Sequence, residues 1–257
     1  MRRYPYSVLY AFVLLAGFAA VAHAETPNLV TGDIQFMTNY VGRGLAQSVG
    51  QPSASAELDI GAGDGAYGGI DVTGINWIDQ LYPGDSVSVE VDGWAGYRMH
   101  FSPDWIGKAG VLRLQFPGRY IEQAPPAARP DTTEFFARVG WNDVSAQLNY
   151  SLSDSFGTPD SKGSWYLDLS ASQAVYPGWT LAAHVGRKHA TGHDPVSGAA
   201  HRLNDYTDYK FSVAWALADN LQLTLAHTWT NADPGRYTLN GYNVGGHHTW
   251  LLLERDF

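Results

Sequence analysis

The chain has 257 residues, a formal net charge of −9, no cysteine, and 16% charged residues against 45% hydrophobic and 13% aromatic. Without cysteine there is neither a disulfide framework nor a thiolate metal site, and the acidic balance disfavours nucleic acid as a partner. The 28 glycines and 13 prolines among so many aromatics fit an all-β chain rich in turns and argue against a disordered one.

The first element stands apart from the rest. Arg2 and Arg3 form a basic start, Val8 to Ala22 an apolar run, and Ala22-His23-Ala24 a small-x-small step before Glu25. This pattern predicts a cleavable signal peptide over residues 1–24, since the run is short for a helix that spans a bilayer. Its removal leaves 14 basic against 25 acidic residues, a net charge of −11. No later apolar run is long enough for a spanning helix. An exported chain of this kind enters a membrane only as a closed barrel, in which every backbone group is paired.

Residues 25–257 then read as twelve alternating segments: 29–41, 52–61, 66–77, 86–101, 106–116, 131–140, 144–152, 163–175, 179–189, 205–216, 220–231 and 246–257. In 86–101, Val87, Val89, Val91, Ala95, Tyr97, Met99 and Phe101 oppose Ser88, Glu90, Asp92, Trp94, Gly96, Arg98 and His100. A period of two places these sets on opposite faces of a strand. The same division recurs in 205–216, where Tyr209, Phe211, Val213 and Trp215 oppose Asp208, Lys210, Ser212 and Ala214. No amphipathic helix of useful length is found.

The connections alternate as well. Those after even-numbered segments are short (GAGD, SPDW, WND, YPGW, ADN), and those after odd-numbered segments are long, as in GRYIEQAPPAARP and TGHDPVSGAAHRLN. This layout predicts a transmembrane antiparallel up-and-down β-barrel of about 12 strands in the outer membrane of a Gram-negative cell. Both termini fall on the short-turn side. Tyr40, Trp77, Phe101, Phe116, Trp141, Tyr150, Trp179 and Trp229 lie near segment ends, as interfacial girdles require. The final strand, HHTWLLLERDF, ends in Phe257 and offers itself to the barrel-assembly machinery, while membrane lipid contacts the apolar parity.

Several stretches together resemble the TorF-type porin family. They include Thr38-Asn39-Tyr40-Val41-Gly42-Arg43-Gly44, followed by Gln47, Ser48 and Pro52, then Ala66-Tyr67-Gly68-Gly69 with Asn76-Trp77. Val89-Glu90-Val91-Asp92 with Gly96-Tyr97, Phe116-Pro117-Gly118, Thr133-Glu134-Phe135 and Asp205 to Lys210 continue the pattern. The resemblance covers essentially all of the chain after residue 24 and implies an outer-membrane channel of no known solute. Asn39 stands where the pattern has aspartate.

Parity places ten acids on the interior face: Asp33, Glu57, Asp59, Asp71, Glu90, Asp92, Glu134, Asp168, Asp208 and Glu254. It places six bases there: Arg43, Arg98, Arg113, Arg138, Lys188 and Lys210. Such charges either line a wet pore that passes small hydrophilic solutes or ions, or pair off and fill a closed lumen. Arg43, within the strongest motif, is the leading single candidate. No nucleophile elbow or His-Glu-x-x-His helix occurs, so no catalytic residue, metal site or cofactor is expected. Three readings stand: a channel, an outer-membrane lipid hydrolase, and a structural or adhesion barrel with a closed lumen.

Overall fold

The computed structural model describes residues 29–61, 63–82, 84–121 and 129–257, so the expected signal peptide lies outside the described residues. Twelve strands follow one another around the wall. They are β1 (Val30–Met37), β2 (Ser53–Ile60), β3 (Gly65–Gly74), β4 (Val89–Ser102), β5 (Trp105–Gln115) and β6 (Thr132–Trp141), then β7 (Val144–Ser151), β8 (Trp165–Tyr176), β9 (Trp179–His189), β10 (Tyr206–Ala218), β11 (Leu221–Thr230) and β12 (His248–Asp256). Each pairs antiparallel with the next, and β1 closes on β12 through the register Asp33↔Asp256 to Met37↔Leu252. Beyond that ladder, Phe257 and Gly32 exchange backbone hydrogen bonds of 2.9 and 3.1 Å. Closure leaves the barrel sheet without an unpaired edge strand.

Every predicted segment overlaps one barrel strand, with ends that differ by a few residues, and the alternation of connections is as expected. The short turns are 61–64, 103–104, 142–143, 177–178 and 219–220; the long loops are 38–52, 75–88, 116–131, 152–164, 190–205 and 231–247. The outward parity is apolar and exposed, with Leu225, Phe211 and Leu251 among its residues. Cross-strand aromatic pairs stack on this face: Trp105 with Trp141 and Trp179 with Trp215 towards the short turns, and Tyr209 with Trp229 towards the long loops. No helix among the described residues is long and apolar enough to cross a membrane.

Residues of loops 38–52, 75–88 and 231–247, together with Phe116, build an apolar core inside the barrel mouth. Val41–Gly42 and Leu45–Ala46 form a tight ribbon, and Thr238–Leu239 with Tyr242–Asn243 form another. The amide of Ala46 donates to the Val244 carbonyl at 2.8 Å, and those of Asn76 and Trp77 donate to the Gln47 carbonyl at 2.9 and 3.1 Å. A one-turn helix, Trp77–Leu81, adds Ile78 to this core, which also holds Tyr40, Val41, Ala46, Val87, Phe116 and Val244. Three aromatics expected in the girdles therefore belong elsewhere. Tyr40 and Phe116 are buried in the plug, and Trp77 packs edge-on against Phe116 with ring centres 5.6 Å apart. Phe101, Trp141, Tyr150 and Trp179 are on the outward face and exposed.

Candidate pore and its outer constriction

Cross-strand partners share a face, so the register shows which charges meet inside the barrel. Asp256, Asp33, Glu57, Asp71 and Asp92 are successive partners on β12, β1, β2, β3 and β4. This is an unbroken row of five carboxylates across five strands. Glu90 lies one position nearer the long loops, opposite Thr73, and Asp59 one position nearer the short turns. Glu254 accepts a hydrogen bond from Gln35 at 3.3 Å, Asp59 one from the Trp94 indole at 3.1 Å, and Asp71 one from the Thr73 hydroxyl at 2.5 Å. Asp33 and Asp92 each keep a buried carboxylate oxygen with no partner among the described residues.

The bases gather elsewhere on the wall. Arg98, Lys108 and Arg138 are successive partners on β4, β5 and β6. Arg98 donates to the Gly63 and Gly61 carbonyls (2.7 and 3.2 Å), and Arg138 to the Ser145 hydroxyl (3.0 Å). The Tyr67 ring lies under both the Arg98 guanidinium, at 5.5 Å, and the Lys108 ammonium, at 4.7 Å, within reach of a cation–π attraction. On the β8–β10 side, His184 sits between two carboxylates. Its Nδ1 is 2.8 Å from Asp168 and its Nε2 2.8 Å from Asp208, with Lys210 as its cross-strand partner. Asp208 also accepts from the Tyr166 hydroxyl at 2.9 Å.

Arg43 does not belong to a wall strand. It sits at the tip of the inward ribbon with a φ of +48°, followed by Gly44 at +78°. Its Nη1 and Nη2 donate to the two oxygens of Glu134 at 2.9 and 2.6 Å, a bidentate pair of the strong kind. Asn149 donates to the same carboxylate at 2.9 Å, and Tyr206 donates to the Arg43 carbonyl at 2.8 Å. Burial by itself would lower the Arg43 pKa. The charge and hydrogen bonds of Glu134 outweigh it and hold the guanidinium above its ordinary value. Asn39, where the family resemblance has aspartate, accepts from the Ser48 hydroxyl and the Gly50 amide (3.0 and 3.1 Å). An uncharged amide therefore braces this loop.

Twelve of the thirteen leading candidates face the interior: Arg43, Glu57, Asp59, Asp71, Glu90, Asp92, Arg98, Glu134, Arg138, Asp168, Asp208 and Lys210. So do Asp33, Glu254 and Lys188. Arg113 does not, and the expectation is corrected. It partners Gly93 and Thr133 on the outward parity, donates to the Thr133 hydroxyl at 2.8 Å and lies 3.7 Å from Asp131 at the rim. The inward parity of β5 is Ile106, Lys108, Gly110, Leu112 and Leu114, because both leucines pack against the plug. Each face of β5 carries one cation and several apolar residues, so period two alone left the choice open. His184 and Asp256 are further interior groups, and their parity is readable in the sequence.

Ser170, His184 and Asp208 superficially suggest a nucleophile, a base and an orienting acid. The Ser170 hydroxyl, however, donates to Asp168 at 2.7 Å and lies 3.3 Å from His184 Nδ1, while both ring nitrogens of His184 also face carboxylates, so the imidazole is held between two acids.

A family model described as "Bacterial protein of unknown function (Gcw_chp)" matches residues 21–257. No curated protein matches the sequence. Among solved structures the fold is similar to that of the NanC porin, with 11% identity, 87% of this chain and 98% of that chain covered, and a TM-score of 0.55. It is likewise similar to the KdgM porin, with 10% identity, 88% and 98% covered, and a TM-score of 0.53. A third is the COG4313 outer membrane channel from Pseudomonas putida F1, at 14% identity, 92% and 100% covered, and a TM-score of 0.53. At such identities the likeness is one of fold.

Proposed function

The chain belongs to the family described as "Bacterial protein of unknown function (Gcw_chp)", and from that premise we propose that it is an outer-membrane channel for passive diffusion of small hydrophilic solutes or ions. The observation that carries this reading is the two-sided wall. Its outer parity is apolar and exposed, while its inner parity holds a row of five carboxylates facing a lumen. Like charges placed directly opposite one another destabilise a sheet, and buried polar atoms without partners are rare. A wall that keeps both features is suited to hydrated cations passing along it.

The rest of the reading follows from this one. Residues 1–24 direct export and are cleaved near Ala24, and the barrel resides in the outer membrane of a Gram-negative bacterium, in contact with its lipids. The assembly machinery reads the last strand through Phe257. The motifs from Thr38 to Gly44 and from Asp205 to Lys210 support the finer assignment to TorF-type porins. The twelve inward candidates, joined by Lys108, line the passage, and the Arg43 ribbon narrows its outer mouth.

Single-channel recording on the refolded full chain tests the proposal. Discrete conductance steps are expected, without hydrolysis of added lipid. The second reading, a structural barrel with a closed lumen, is favoured by the apolar plug around Tyr40, Ile78 and Phe116. A protein that inserts, resists heat and passes no current at any voltage would establish that reading instead.

A further inference from the structure

A cavity of about 280 Å³ lies above the Arg43 ribbon, between loops 38–52, 75–88, 152–164, 190–205 and 231–247. That volume falls just below the usual range of ligand pockets, about 300–1,000 Å³, and suits only a small ligand. Its charged lining is Arg43, Lys188 and Arg236; among the described residues it has no carboxylate. Its apolar walls include the rings of Phe156, Tyr206 and Tyr237. The aromatic parts are held in place: Tyr206 and Tyr237 meet edge to face at 5.4 Å, and Tyr237 donates to the Asn204 carbonyl at 2.7 Å.

The cations are not equally engaged. Arg43 is neutralised by Glu134, and Arg236 lies 3.8 Å from the exposed Asp233. Lys188 instead donates to the Ser155 hydroxyl at 3.0 Å and stands 5.7 Å from the Phe156 ring centre; Glu134 and Asp205 act on its charge from a distance, without a direct hydrogen bond to it among the described residues. Phe156 itself has a φ of +50°. For a non-glycine residue this region is strained, and such outliers cluster at ligand clamps. Two of them, Arg43 and Phe156, line the same cavity.

We propose that this cavity is a binding site for a small organic carboxylate with a ring-sized body, its carboxylate on Lys188 and its ring against Phe156, Tyr206 and Tyr237. The cation supplies charge and the aromatic rings supply a flat contact surface, so neither a neutral sugar nor a bare inorganic anion matches both. The site rests on the channel reading only for its position at the outer mouth. It is chemically opposite to the carboxylate row further in, so a solute captured here meets a change of sign as it advances.

Titration calorimetry on the refolded full chain in detergent tests this without any current being measured. Glucuronate and benzoate are compared with glucose, benzyl alcohol and inorganic phosphate. At least one carboxylate is expected to bind tenfold or more tightly than both its neutral counterpart and phosphate. Lys188→Gln should weaken that binding at least tenfold, Lys188→Arg should retain it, and Arg255→Gln on the outward face should leave it unchanged. Equal affinity for charged and neutral partners, phosphate binding as tight as the carboxylates, or wild-type affinity in Lys188→Gln would each overturn the site. A protein that binds but does not conduct would refute the channel and leave this site standing.

Discussion

Arg43 and Glu134, 91 residues apart in the chain, are joined by two hydrogen bonds that tie the inward ribbon to the barrel wall. The Glu134 side chain is 2% exposed and that of Arg43 15%, so the pair is sheltered from solvent screening. Removing one partner of such a buried pair leaves a charge uncompensated.

Arg43→Met should accordingly lower stability by about 3–5 kcal/mol, the usual consequence of breaking a buried pair from one side. Replacing both partners, as Arg43→Met with Glu134→Leu, should recover a large part of that loss. Denaturant unfolding of the refolded barrel gives both values. A single variant as stable as wild type would mean that the pair does not anchor the ribbon.

Gly44 follows Arg43 at a φ of +78°, and a Cβ built there falls on the Asp208 side chain. Gly44→Ala should therefore displace the ribbon while leaving the wall strands intact. Larger conductance steps with unchanged β-sheet circular dichroism are the expected result. Identical step sizes would place the constriction elsewhere.

Glu90 and Asp92 belong to the acidic side of the lumen, next to Asp71. Reversing both to lysine should move the reversal potential in a salt gradient towards anions, because the lumen's summed field falls. Val89→Leu, on the outward parity, should leave it where it was. If the double reversal still conducts with wild-type preference, these carboxylates lie off the permeation path.

Lys108 and Arg113 are five residues apart on β5 and face opposite ways. Neutralising Lys108 to glutamine should increase the preference for cations, and neutralising Arg113 should not change it. The converse pair of results would show that the parity of β5 is the reverse of the one described.

Protease added to intact cells should cut within loop 190–205 and spare the turn 103–104, and the protein should migrate differently on gels before and after boiling. Cleavage at Ser102 to Asp104 with loop 190–205 protected would invert the topology.

Local chemistry determined much of this protein directly. Period-two alternation and turn residues such as Asn142-Asp143 and Pro177-Gly178 marked twelve strands and their alternating connections, because both signals act over a few neighbouring residues. Inward charge was legible wherever the opposite face was plainly apolar, as around Glu90 and Asp92. On β5, where the two faces are alike, only packing against the plug decides that Leu112 and Leu114 turn inward and Arg113 outward. Tertiary structure alone brings Tyr40, Trp77 and Phe116 together inside the mouth, and sets Arg43 on Glu134. It also aligns Asp256, Asp33, Glu57, Asp71 and Asp92 in one row. Each of these depends on the register between strands and on loops returning into the lumen, and a register shifted by a single residue would send the same side chains to the other face.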